Sequence, residues 1–311
     1  MSKLEVSVQT AKWFEETDPA ASMKYIKECG FESVDYNINS LFRASFDEEN
    51  LTSFFDKSIE ELKEYYRPLK EAMIKNGVTM GQSHGILVIY HKDNPKKTEY
   101  CINVTKKMLA VCQYLDCKAI VIHPWIGSQF GVEKQEEIEI NMWLYRQLMP
   151  AAKEYGVKIC LENLWEKQHG VFVDAPCIDA HEACRYIDVL NREAGKDVYG
   201  FCLDIGHTQF YRTDIYAFIK MLGKRLTALH LHENNGILDS HLIPYTQADA
   251  LQNGVAVDWE RMLQALAEIQ YEGNLSFETC NAIVNLSEEM KALTLRYICQ
   301  IGQYFKNRLS E

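Results

Sequence analysis

Residues Arg225–Tyr245 read RLTALHLHENNGILDSHLIPY. The stretch opens as a strand: Leu226, Ala228, Leu229 and Leu231 are apolar and Thr227 is β-branched. It ends in two histidines, His230 and His232. Glu233-Asn234-Asn235-Gly236 then stops it, because asparagine and glycine are what a tight turn needs. Asp239 and His241 follow a few residues on. Three histidines, an aspartate and a glutamate within twelve residues, directly after an apolar strand, are the donor chemistry of a divalent-metal site.

Outward from this stretch, strand-like and helical runs alternate along the chain. Strands are expected to begin near residues 4, 31, 78, 118, 157, 199, 226 and 274, each followed by helical sequence. Ser58 with Glu61 forms a capping-box pattern opening a helix that closes at Asn76-Gly77, and Pro68 inside it predicts a kink or an interruption. Ser40–Lys57 has no clear period, is long for a connection and reads as a lid. Glu166–Pro176 reads as a loop. Eight strand–helix units with no linker or composition shift between them argue a single (β/α)8 TIM barrel spanning residues 1–311. A doubly wound open sheet is the alternative. The glycine-rich dinucleotide fingerprint is missing after the first strand, which counts against it.

The totals agree with one large globular domain: 311 residues, 47% hydrophobic and 25% charged. Lys and Arg number 33 against 44 Asp and Glu, a formal net charge of −11. No basic stripe is visible, so a nucleic-acid partner is not expected. The ten cysteines form no CxxC pair, several fall in apolar helix or strand patterns, and the N-terminus carries no apolar run of signal-peptide type. A reduced, cytoplasmic protein without a membrane span is therefore the expectation, with homo-oligomerisation left open.

In barrels of this kind chemistry gathers at the carboxyl ends of the strands. Here the third strand ends at His84, the fourth at His123, the fifth at Glu162, the sixth at Asp204 with His207 three residues on, the seventh at His230 and the eighth at Glu278. Asp239 and His241 lie in the loop after the seventh. Glu162 and Glu278 sit in apolar strands, and a buried carboxylate without a partner is costly, so both are expected to be paired or metal-bound. Trp125 and Trp165, just past the fourth and fifth strands, are placed to wall a substrate pocket, and His232, one strand period beyond His230, is expected to reach substrate.

The motifs LEN (Leu161–Asn163), LDIGH (Leu203–His207), LHLHENNG (Leu229–Gly236), DSHLIP (Asp239–Pro244), VDW (Val257–Trp259) and FET (Phe277–Thr279), in this order, resemble the xylose-isomerase-like TIM-barrel superfamily. That group holds sugar isomerases and epimerases, related dehydratases and metal-dependent apurinic-site endonucleases. The resemblance implies a divalent metal (Mn2+, Zn2+ or Mg2+) held by Glu162, Asp204, His230 and Glu278, with the two glutamates also acting as the acid/base pair. The endonuclease pattern of three zinc ions would extend the ligand set to His84, His123, His207, Asp239 and His241. The leading expectation is one ion and a metal-dependent isomerase or epimerase of a small sugar, with substrate touched by His207, His232, Trp125 and Trp165. The alternatives are a multinuclear zinc phosphodiester hydrolase and a dehydratase of inosose type. Two departures stand out: Asp35 on the second strand, where a glutamate is common, and the acidic net charge.

Overall fold

The computed structural model describes residues 4–310. Eight parallel strands run in barrel order: β1 Val6–Gln9, β2 Ser33–Tyr36, β3 Thr79–His84, β4 Ala119–Val121, β5 Lys158–Glu162, β6 Tyr199–Asp204, β7 Leu226–His230 and β8 Leu275–Phe277. β8 pairs with β1. The ring closes at the β7 end, where Leu231 N donates to Ser276 O at 2.8 Å and Glu278 N to Leu231 O at 3.2 Å. Helices follow the strands on the outside, so the expected single (β/α)8 barrel is the observed fold.

The strand sequences build this arrangement through their period of two. One set of alternate residues, including Val8, Val34, Ile120, Ile159, Leu161, Phe201, Leu203, Leu229 and Phe277, joins the large apolar core under the helices. The other set faces the barrel axis. There Ala119, Val121, Cys160, Cys202 and Ala228 make a small inner cluster, the compact side chains that a narrow lumen accepts. One strand period further along stand Glu162, Asp204 and His230, so the pleat that buries Cys160, Cys202 and Ala228 delivers the reactive groups to the axis above them. The ten cysteines are free thiols. Among the described residues no helix is long and apolar enough to cross a membrane.

Three expectations are corrected. Pro68 does not interrupt its helix, which runs Ile59–Asn76 behind the capping box of Ser58 and Glu61. Pro68 and Glu64, whose carbonyl loses its partner, both lie on the exposed face, where water satisfies the carbonyl. Residues 40–57 are more ordered than a lid without periodicity: they contain most of a short helix, Asn39–Ser45, and a 3-10 turn, Phe54–Asp56, boxed by Ser53. Glu166–Pro176 holds an antiparallel hairpin, Glu166–Gln168 with Val171–Val173. Its Phe172 stacks on Phe210 at 4.6 Å, a contact that sequence periodicity does not encode.

The turn after β1 stores a pH-dependent cost. Burial pushes the Glu16 carboxyl from its ordinary 4.5 to about 7, against the opposing hydrogen bond from Tyr36 Oη at 2.5 Å. A carboxyl whose pKa is raised by folding favours the folded state below its unfolded pKa, and that advantage is lost as pH climbs through about 7. Glu16→Gln, which retains an acceptor for Tyr36, is therefore expected to raise stability at pH 8 by on the order of 2 kcal/mol, with the gain vanishing near pH 4. Melting temperatures measured across that range check this; a gain independent of pH contradicts it.

Candidate metal centre

The strand ends and the loops after them bring the reactive residues into three adjoining groups, each with its ligand atoms within 4.8 Å of one another, while a fourth, Glu162, Cys202 and His230, overlaps the second. The first is His84, His123 and Glu162; the second is Glu162, Asp204, His230 and Glu278; the third is His207, His232, Asp239 and His241. Glu162 belongs to the first two and joins them.

In the middle group His230 is the hub. Its Nδ1 stands 3.1 Å from Glu278 Oε2, 3.3 Å from Glu162 Oε1 and 3.7 Å from Asp204 Oδ2. Its Nε2 faces Asp35 Oδ2 at 3.2 Å. Asp35 is fully buried and also accepts from Gln82 Nε2 at 2.9 Å and Ser276 Oγ at 3.3 Å. The departure at Asp35 thus acquires a role, orienting the ring of His230 from behind. Burial opposes charge on His230, yet Cys202, Glu278 and Glu162 around it hold its pKa well above the ordinary imidazole value.

The flanking groups share one device. His84, His207 and His241 each turn Nδ1 to a backbone carbonyl: Gly85 O at 3.1 Å, Asn163 O at 2.7 Å and Glu278 O at 3.2 Å. A carbonyl only accepts, so Nδ1 carries the proton and Nε2 of the neutral ring is left with its lone pair. Those lone pairs point at other acceptors. His84 Nε2 lies 3.1 Å from His123 Nε2, and His241 Nε2 lies 2.9 Å from Asp239 Oδ2. Glu162 Oε2 is buried with no hydrogen-bond partner, 3.1 Å from His123 Nε2. Lone pairs facing lone pairs require a cation between them, either protons or a metal ion. Burial lowers the affinity of His207 and His241 for a proton, but Asp204 and Asp239 around the first and Glu278 and Asp239 around the second push both to about 10. The imidazoles of His230 and His123 outweigh burial and hold Glu162 well below the carboxylate range. Mixed imidazole and carboxylate donors with an orphaned buried oxygen fit a divalent ion.

Local sequence fixes these positions. Asp204 ends β6 and caps the helix Ile205–Tyr211, accepting from His207 N at 2.7 Å. That short helix sets Asp204 and His207 three residues apart on one turn. Asn163 clamps it, accepting from Asp204 N and donating to Asp204 O, both at 2.8 Å. Gly206 leaves room for the next strand: a Cβ there would stand 2.0 Å from His232 Cε1. The loop carrying Asp239 and His241 is wound around Asn234, whose amide donates to Asp239 Oδ1 at 3.1 Å and accepts from Ser240 N at 2.6 Å and His241 N at 3.1 Å. Gln9, at the end of β1, donates to Glu278 Oε1.

A cavity of about 420 Å³ opens over the groups and is lined by Glu162, Glu278, His84, His123, His207, Asp239, His241 and Trp165. Asp204 and His230, both fully buried, lie beneath them. Two residues expected to touch substrate, His232 and Trp125, do not line this cavity. His232 is fully buried and outside the lining; its Nε2 donates to Asp204 Oδ2 at 2.9 Å, so the carboxylate draws it inward. Trp125 lines a neighbouring cavity instead, stacked on Phe130 at 5.3 Å. Reading by residue type missed Gln9, Gln82, Asn163 and Asn234 as positioning residues. The available signal was a large polar side chain at a lumen-facing or turn position with no charge to advertise it.

A family model described as xylose isomerase-like TIM barrel matches residues 23–296. Among curated proteins, the chain is 28% identical over 170 residues to an uncharacterized protein of Methanocaldococcus jannaschii, 54% of this chain and 52% of that one. The chain spans about half or less of the length of the curated relatives it matches. Solved structures similar in fold include a D-tagatose 3-epimerase-like protein (TM-score 0.71, 19% identity, 99% of this chain and 100% of that one). Another is the IOLI protein with a zinc atom (TM-score 0.65, 19% identity, 98% of each chain).

Proposed function

Since the chain belongs to the xylose isomerase-like TIM barrel family, we propose that it is a metal-dependent isomerase or epimerase of a sugar or sugar-like keto-polyol, moving a proton on the carbon next to a carbonyl. The carrying observation is that two carboxylates, Glu162 and Glu278, converge on His230 Nδ1 at 3.3 and 3.1 Å and both line the cavity. The names of the structural relatives, a D-tagatose 3-epimerase-like protein and a zinc-containing IOLI protein, support the same reading.

Glu162, Asp204, His230 and Glu278 would hold the ion, which when bound supplies a Lewis acid for substrate oxygens. The remaining work falls to the chain. Glu162 and Glu278 come from β5 and β8, with β6 and β7 between them. One takes the proton from the carbon beside the carbonyl, and the other returns a proton to the resulting planar enediolate. Return to the opposite face of the same carbon inverts it, and return to the neighbouring carbon isomerises the sugar. Gln9 fixes one oxygen of Glu278 and leaves the other to work. Asp35 holds the ring of His230. Trp165 and Leu164 on the cavity wall shield the enediolate from water.

The second reading, metal-assisted phosphodiester hydrolysis, draws on the two flanking ligand groups, which would let clustered ions activate water and hold the leaving oxygen. The net charge of −11 weighs against a polyanionic substrate. The test is solvent-deuterium incorporation, followed by NMR, across a panel of ketoses and inososes with the metal-loaded protein. Exchange at the carbon beside the carbonyl is expected. No exchange anywhere in the panel, with cleavage of abasic DNA by the same preparation, overturns the proposal.

A further inference from the structure

We propose that the substrate carries an anionic group, a phosphate monoester or a carboxylate, gripped at the cavity mouth by Lys12 and Arg43. This deepens the reading of the site as a sugar isomerase and rests on it.

The cavity has two unlike halves. The strands from β3 to β8 supply the histidines and carboxylates, whereas the segments after β1 and β2 supply Lys12, Asn37, Asn39 and Arg43. Lys12 and Arg43 are the two Lys/Arg side chains in the lining. In a chain of net charge −11 some such groups find a carboxylate: Arg67 meets Glu64 at 2.8 Å, Lys97 meets Glu48 at 2.7 Å, and Lys134 has three acids within 3.4 Å. The mouth cations do not. Among the described residues Arg43 has no ion pair or side-chain hydrogen bond. Lys12 Nζ touches a neutral acceptor, Asn281 Oδ1, at 2.7 Å. Asn281 is itself tied to Ser240 O at 3.1 Å, so the ammonium is aimed but its charge is left uncompensated.

The surroundings agree. Lys12 sits at φ +69, the left-handed region that a lysine enters at a cost of about 1 kcal/mol and that clusters at functional sites. Asn39 is 3% exposed, lines the cavity and has no side-chain partner among the described residues, which leaves an amide donor for an oxyanion. A guanidinium, an ammonium and amide N–H groups on the lining of one cavity suit a terminal oxyanion, with the guanidinium able to bind it through two parallel N–H bonds. Two cations suit one anionic handle; a nucleic-acid backbone would need a stripe of them.

The experiment pairs each neutral ketose with its terminal phosphate and its keto-acid counterpart, using metal-loaded wild type, Lys12→Gln and Arg43→Gln. Binding is read by calorimetry and turnover by deuterium exchange. The wild type is expected to favour one anionic member in kcat/KM by on the order of 100-fold, and each variant to cut its affinity about 10-fold or more, so that the anionic-to-neutral ratio falls toward one. Whether the phosphate or the carboxylate arm responds identifies the anion. Exchange on neutral ketoses with no anionic preference overturns this inference alone. Anion binding that depends on Arg43 and Lys12, without exchange on any sugar, upholds the anion site and overturns the isomerase reading. Anion binding indifferent to both variants overturns the inference.

Discussion

Glu162→Gln is expected to fold like the wild type and to exchange the substrate proton about 1,000-fold more slowly or worse, because on the proposed reading it removes a proton-transfer group and a metal ligand in one step. Glu162 is 1% exposed and spends both oxygens: Oε1 on His230, Oε2 beside His123 and His84. A glutamine keeps the volume and the packing. Its carbonyl replaces one oxygen, and its NH2, turned to His123, finds an acceptor where the carboxylate oxygen had no hydrogen-bond partner. The fold therefore has no reason to object. The chemistry does, since an amide neither accepts a proton near neutral pH nor supplies negative charge to two ligand groups at once. Circular dichroism and thermal melting of the variant, with its metal content and exchange rate, separate the effects. Near-normal exchange at full metal loading would sink the assignment of Glu162.

Glu162 was legible in the sequence for the same reason that it matters. A carboxylate inside ICLEN cannot stay unpaired in a barrel interior, so type and position together announce a site. Asp204, His230 and Glu278 were readable on this logic, and the lumen-facing alternation of their strands made the barrel readable with them. His232 shows the limit. Its period with His230 implies the same face of the strand, but periodicity does not say what that face meets, and the bond to Asp204 Oδ2 holds the fully buried ring out of the cavity lining. Gln9, Asn163 and Asn234 were missed because neutral amides belong equally to turns, surfaces and buried clamps until tertiary contacts choose. The helix Asn39–Ser45 and the hairpin after β5 are too short for a period to declare itself. Lys12 and Arg43 carry no motif in the sequence, and only their place on the cavity lining, with no carboxylate among the described residues paired to either, marks them out.

The second large effect expected is loss of activity on chelation, about 1,000-fold or more and reversible by a divalent ion, together with a lower melting temperature. Glu162, Asp204 and Glu278 converge on one imidazole nitrogen within 3.7 Å, and Asp204 and Glu162 are almost entirely out of water. Like charges brought this close in a poorly solvated interior repel unless positive charge is added. Protons on the imidazoles provide it in part, which is why His207, His230 and His241 all sit above the ordinary imidazole range. A divalent ion would supply it without placing a proton on Glu162 or Glu278, which leaves the two carboxylates able to take one up. An ion that binds the assembled strand ends and not the unfolded chain would add its binding energy to stability in proportion to the logarithm of its concentration. Titrating the stripped protein while following deuterium exchange then counts the ions that matter. One equivalent restoring the full rate places the chemistry in the Glu162, Asp204, His230 and Glu278 group alone. A rate that returns only at three equivalents gives the flanking histidines a catalytic share and moves the balance toward hydrolysis. Full activity in the stripped protein would remove the metal from the mechanism, leaving the carboxylates to be explained by the protons they already attract.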